Sequence, residues 1–206
     1  FTDFHSNGTV CSPTRAGLLT GRYQQRAGVE AVIHPHANHP EHRKGLQKSE
    51  VTFAELFKEA GYVTGVVGKW HLGDQPQHLP TEHGFDYYFG IPYSNDMQSA
   101  RRGDPPLPLV KQAAVIEAPA DQATLTRRYT EQVISFIENN QATPFFVYLP
   151  HTFPHLPLFA SPDFHGKSAN GRYGDAIEEI DWSTGQILDC LDRLELTENT
   201  LVIFTS

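Results

Sequence analysis

Short apolar, β-rich runs alternate along this chain with stretches whose apolar residues recur every three or four positions, and that alternation constrains the fold most. Ile177, Ile180, Thr184, Ile187, Leu188, Leu191 and Leu194 mark one helical face. Tyr129, Val133, Phe136 and Ile137 mark another, which leads into Phe145-Phe146-Val147-Tyr148-Leu149, a strand. Thr52 and Glu55 form a capping box ahead of a helix whose face is Phe53, Leu56, Phe57 and Ala60, ended by Gly61. Tyr62 to Val67 reads as a buried strand, and Leu201 to Phe204 begins a further one. Strands alternating with helices predict an α/β fold: a mostly parallel sheet flanked by helices. Residues 97–122, rich in Pro and charge, read as a surface excursion. There is no internal repeat.

In such a sheet, ligands gather beyond the carboxyl ends of the strands. The strand ending near Val67 delivers Lys69 and His71 to that rim, and the strand ending near Leu149 delivers His151 and His155. Near the start of the chain, Cys11-Ser12-Pro13-Thr14-Arg15 runs into Ala16-Gly17-Leu18-Leu19-Thr20-Gly21-Arg22. Pro13 suits the first position of a helix, where a missing N–H costs nothing. Leu18 and Leu19 would bury, and Gly21 would end the helix in a left-handed cap. Cys11 then sits where free N–H groups and the positive end of the helix dipole favour an anion. Arg15, four residues on, offers a planar fork of donors to a tetrahedral oxyanion. The competing readings are a buried structural thiol for Cys11 and a solvated helix residue for Arg15. The local pattern around a thiol-peptidase nucleophile is missing.

Cys-x-Pro-x-Arg followed by Leu-Leu-Thr-Gly-Arg resembles the first signature of the type I sulfatases. Gly61-Tyr62-Val63-Thr64-Gly65-Val66-Val67-Gly68-Lys69-Trp70-His71 is similar to their second, and Gly84-Phe85-Asp86 to Gly90-Ile91-Pro92-Tyr93-Ser94-Asn95-Asp96 is similar to the arylsulfatase A and N-acetylgalactosamine-6-sulfatase branch. Thr9, two before Cys11, departs from the smaller or Pro residue commoner there. The resemblance implies an alkaline-phosphatase-like fold and hydrolysis of sulfuric esters. It implies that Cys11 is oxidised by a formylglycine-generating enzyme to formylglycine (3-oxoalanine), whose hydrate attacks sulfur, forms a covalent sulfate ester and then expels sulfate. By the same resemblance Arg15 orients that residue, Lys69 neutralises sulfate charge and His71 acts as the base that frees sulfate. His155 contacts sulfate or protonates the departing alcohol, Ser94 contacts sulfate, and His151 is structural.

The family also binds calcium, a hard cation that takes oxygen ligands. Of its ligands only the oxygen of modified Cys11 falls within this stretch. The 206 residues therefore read as part of a single sulfatase catalytic domain, without its first strand and its C-terminal portion, and are expected to be inactive and calcium-deficient alone. The implied partner is a sulfated small molecule or glycan, and the implied location is secreted, periplasmic or lysosomal. Two other readings stay open: a phosphoryl-transfer enzyme of the same superfamily, and an inactive relative that binds sulfated glycans.

The bulk numbers agree with a soluble globular chain. It is 39% hydrophobic and 19% charged, without an apolar run near membrane-spanning length. A net charge of −8 argues against a nucleic-acid binder, so an anionic substrate must be held by local cations. Cys190 falls in a helical pattern as a buried free thiol, and Asn7-Gly8-Thr9 is a glycosylation sequon in form. His34-Pro35-His36, His39 and His42 could bind a soft divalent metal, but the prolines mark a loop, and a pocket border or solvated loop is the favoured reading.

Overall fold

The computed structural model describes residues 3–205, leaving Phe1, Thr2 and Ser206 outside. Along the chain come α1 (Cys11–Thr20), α2 (Phe53–Glu59), β1 (Val63–Lys69), β2 (Tyr87–Ile91), β3 (Leu109–Lys111), β4 (Ala114–Glu117), α3 (Leu125–Asn140), β5 (Phe145–Tyr148) and α4 (Gly171–Arg193). The strands form one sheet in the order β4-β3-β2-β1-β5. β1 lies parallel to β2, from Gly65 opposite Tyr87 to Lys69 opposite Ile91, and parallel to β5 on its other side.

The expected α/β sheet flanked by helices is present, parallel through β2, β1 and β5. Its other edge makes the sheet mixed, because β3 pairs antiparallel with both β2 and β4. For β3 and β4 the physical reason is the connection through Gln112 and Ala113, a turn so short that it permits only an antiparallel partner. Residues 97–122 are accordingly more than a surface excursion. Leu107 and Leu109 are fully buried there. A three-residue strand next to several prolines is too short to show a period.

Val66 and Val67 point to opposite faces of β1, and both are fully buried. On one face Val67, Phe89, Tyr129, Val133, Ile137, Ile180 and Leu191 join the sheet to α3 and α4. On the other, Leu19, Ile33, Leu46, Val66, Trp70, Phe85 and Tyr88 join it to α1 and α2. The capping box at Thr52 and Glu55 is present. Phe53 and Phe57 pack on Phe146, with ring centroids 5.2 and 4.5 Å apart, whereas Leu56 faces solvent.

α4 starts at Gly171, ahead of the apolar pattern. The Asp175 carboxylate accepts the N–H groups of Gly166, Lys167 and Ser168 at 2.8, 3.1 and 2.8 Å, which ties the incoming loop to the first turns. The helix meets α3 through small polar groups, Thr130 Oγ1 and Ser183 Oγ at 2.6 Å. Ile177 and Leu188, expected in the core, lie at the surface, while Ile180 and Leu191 of the same stripe are buried. Leu18 is likewise exposed beside buried Leu19. Leu201 to Phe204 joins no ladder among the described residues and is exposed; a β-rich run becomes a strand only where a partner receives its backbone groups.

β1 also runs past Val67 to Lys69, beyond the expected end. Glycines allow this. A Cβ on Gly68 would lie 2.2 Å from the Pro150 oxygen, and one on Gly90, its register partner, 1.8 Å from the Gly68 oxygen. Gly90→Ala is therefore expected to lower stability by about 1–3 kcal/mol, read as a lower denaturant midpoint at unchanged slope.

Candidate active site

The backbone of the site is assembled at the carboxyl end of β1. Lys69 N–H donates to Pro150 O at 2.8 Å, Trp70 N–H to Ile91 O at 3.0 Å and His71 N–H to Pro92 O at 3.1 Å. The ladder thus continues beyond all three parallel strands and holds His71 in a left-handed conformation, φ 59°. Two loops that carry side chains for the site, after β2 and after β5, are tied to this one segment.

α1 presents Cys11 at its first helical position, with Val10 as N-cap. Pro13 is therefore third in the helix rather than first, where its missing N–H is still one that has no intrahelical acceptor. Gly21 closes the helix in the left-handed region, φ 64°, as expected. Arg15 Nη1 donates to the Lys69 carbonyl, tying α1 to the end of β1. The Asn7 amide lies over Gly17 and donates to Gln24 Oε1 at 3.1 Å, so the sequon nitrogen is engaged within the fold.

Lys69 is 1% exposed, and its Nζ donates to Ser94 Oγ at 2.9 Å. Ser94 Oγ in turn lies 3.5 Å from His155 Nε2, and His155 Nδ1 lies 2.6 Å from Leu156 O. A carbonyl can only accept, so in the neutral ring the proton sits on Nδ1 and Nε2 takes the Ser94 hydroxyl proton. His71 is fully buried. Its Nε2–H donates to Ile33 O at 3.0 Å, which leaves Nδ1 as a bare, buried acceptor without a partner among the described residues. Burial, reinforced by the nearby Lys69 and Arg15 charges, holds the His71 ring well below the usual imidazole pKa, so it is neutral at pH 7. Burial and Arg15 push Lys69 down to about 8, while Cys11 and Asp96 pull the other way.

Some participants had no sequence signal. Ser12 Oγ accepts the Ile33 N–H at 3.2 Å, so Ser12 and His71 grip the same residue at its N–H and at its carbonyl. Asn95 Nδ2 donates to Gln122 Oε1 at 3.0 Å and to Pro157 O at 3.1 Å, and Gln122 Nε2 returns a bond to Asn95 O. This amide pair fixes the Ser94 loop against the His155 loop. His151 is half-buried, and burial pushes its pKa to about 4. His34, His36 and His39 border a cleft, and His42 Nδ1 lies 3.3 Å from His34 O. Among the described residues no group of three or more His, Cys, Asp or Glu is arranged to hold a metal, so the residues present do not make a calcium or soft-metal cage. Cys190 is buried as a free thiol.

The sulfatase family model matches residues 1–206. The chain belongs to the sulfatase family. It is 41% identical to the N-acetylgalactosamine-6-sulfatase of Canis lupus familiaris, over 100% of this chain and 42% of that protein. It is 37% identical to an arylsulfatase of Hemicentrotus pulcherrimus, over 100% of this chain and 40% of that one. Among solved structures, one from work on glycosaminoglycan metabolism by Bacteroides thetaiotaomicron superposes with a TM-score of 0.81 at 27% identity, covering 95% of this chain and 52% of that chain. This sulfatase-family chain therefore spans about two fifths of the length of its curated relatives and has their alkaline-phosphatase-like fold. No helix among the described residues is long and apolar enough to cross a membrane.

The buried imidazoles set the acid limit of stability. His71 is held well below 6.5, and His83 and His151 at about 4, so each disfavours its proton in the fold. Unfolding then takes up protons, and stability falls as pH drops below about 6.5, by up to about 1.4 kcal/mol per pH unit for each ring. Denaturant midpoints at about pH 7 and about pH 5 should show this loss, and His71→Gln should make it shallower.

Proposed function

We propose that this chain is part of the single catalytic domain of a sulfuric ester hydrolase that acts on a sulfated small molecule or glycan. The carrying observation is the relay from Lys69 through Ser94 to His155, with the bare Nδ1 of His71, at the strand end to which Arg15 ties the helix that begins at Cys11. The name of the 41% identical relative supports a sulfated sugar as the substrate class. Cys11 is matured to formylglycine by a generating enzyme acting on Cys11-Ser12-Pro13-Thr14-Arg15, and this group would supply the hydroxyl nucleophile. An unmodified Cys or Ser lacks the second hydroxyl needed to expel sulfate without water.

The other roles belong to this chain's own side chains. Lys69, desolvated and held by Ser94, concentrates positive charge where sulfate oxygens gather negative charge, an effect that is large in a dry site. Ser94 orients one sulfate oxygen. His71 stays neutral and offers Nδ1 to accept a proton, while its Nε2–H keeps the ring fixed on Ile33. His155, at the exposed edge, acts in its imidazolium form: it gives the Nε2 proton to the departing alcohol and keeps Nδ1–H on Leu156 O. Arg15 positions Cys11 by tying α1 to the Lys69 carbonyl and adds to the local potential.

The family's calcium needs several oxygen ligands. No step here is routed through it; its carboxylates would come from outside these residues. The protein acts in a secretory, periplasmic or lysosomal space.

Matured full-length protein should hydrolyse 4-nitrophenyl sulfate faster than 4-nitrophenyl phosphate, with oxo-alanine at position 11 by peptide mass spectrometry. Lys69→Ala should lower kcat by about 10²–10³-fold. His155→Ala should slow an alkyl sulfate more than the nitrophenyl ester, whose leaving group needs no proton. Faster phosphate turnover, or binding of a sulfated glycan without turnover, would overturn the reading.

A further inference from the structure

Beside the relay lies a second cleft of about 270 Å³, bordered by His34, His36, His39, Asp96, Arg102 and Asp104. Its size is near the lower end of the ~300–1,000 Å³ common for ligand sites, which suits one ring rather than an extended chain. Asp96 belongs both to this cleft and to the larger opening of about 690 Å³ around His155, Leu156 and Pro157. It follows Ser94 by two residues, and its charge reaches both Lys69 and His34.

The polar groups of the cleft fall into two sets. Arg102 is engaged internally: Nη2 donates to Asp96 O at 2.7 Å and Nε to Asp104 Oδ2 at 3.1 Å. Asp104 also accepts the Ser99 N–H at 3.0 Å. The Asp96 carboxylate is exposed and has no hydrogen bond or ion pair among the described residues. Opposite it, His34 and His39 stack with ring centroids 3.8 Å apart. The Nδ1 atoms of His36 and His39 accept backbone N–H groups of Asn38 and Glu41 at 2.9 and 3.1 Å, so in each neutral ring the proton is on Nε2. The cleft therefore combines one unpaired anionic acceptor with imidazole donors, and its guanidinium is already neutralised.

We propose that this cleft receives the uncharged, hydroxyl-bearing sugar ring to which the sulfate is attached, with Asp96 accepting from its hydroxyls and selecting against a ring that carries a second anionic group. A carboxylate accepts from adjacent hydroxyls in charge-assisted bonds, and neutral imidazole N–H groups match the hydroxyl oxygens. A second sulfate or a carboxylate on the ring would meet the Asp96 carboxylate, which has no ion pair among the described residues, while the Arg102 guanidinium is held by Asp104. The inference rests on the sulfatase reading for the neighbouring centre and adds the substrate class.

The test uses matured full-length protein with galactose 6-sulfate, the same sugar carrying a second sulfate, and 4-nitrophenyl sulfate. Wild type should prefer the monosulfated sugar to the disulfated one. Asp96→Ala should lower the kcat/KM ratio of galactose 6-sulfate to nitrophenyl sulfate by about tenfold, the loss expected for one charge-assisted bond. Asp96→Lys should shift preference toward the disulfated sugar. An unchanged ratio in Asp96→Ala, or a wild type that prefers the disulfated sugar, would overturn the proposal. Saturation-transfer NMR with unsulfated galactose separates it from the parent reading. A signal lost in Asp96→Ala supports the cleft even if no sulfate ester turns over, and an equal signal in both proteins refutes it.

Discussion

The end of β1 holds the site together. Three consecutive backbone N–H groups, of Lys69, Trp70 and His71, reach carbonyls on both neighbouring segments, and Arg15 binds the Lys69 carbonyl from a third direction. Each of these bonds is individually modest. Together they fix the one stretch of chain against which α1, the loop after β2 and the loop after β5 all register. The glycines at 68 and 90 exist to let that stretch pass between its neighbours without a Cβ in the way.

The charge arrangement follows from the same assembly. Lys69 and His71 are buried beside Arg15, an unfavourable neighbourhood for a second cation. The fold accepts a lysine that parts with its proton more readily and an imidazole that declines one. This is strain of a useful kind, since an anion arriving in the site relieves it. The local charge of this site is thus opposite in sign to the chain's overall charge, which is −8.

Much of this was legible in the residues. Helical periodicity located α3 and α4, the Thr52–Glu55 pair located the start of α2, and motif resemblance pointed to the residues that the fold gathers at one rim. What could not be read has a common physical character. The antiparallel edge at β3 and β4 depends on a short turn and a three-residue strand, too brief for any pattern. Leu56, Ile177 and Leu188 fit their stripes, but tertiary packing decides which edge of a stripe stays covered. Ile33 acts through its backbone N–H and carbonyl, which leave no trace in side-chain type, and Ser12 acts by accepting that N–H. Asn95 and Gln122 are 27 positions apart, and nothing local links them.

That reciprocal amide pair has an evolutionary consequence. Gln122 closes the far end of the segment that begins just after Asp96, and between those ends Leu107 and Leu109 are buried and β3 joins the sheet. A segment pinned at both ends and along β3 can change length without moving the loops it joins only in its exposed turns, at 101–103 and 112–113.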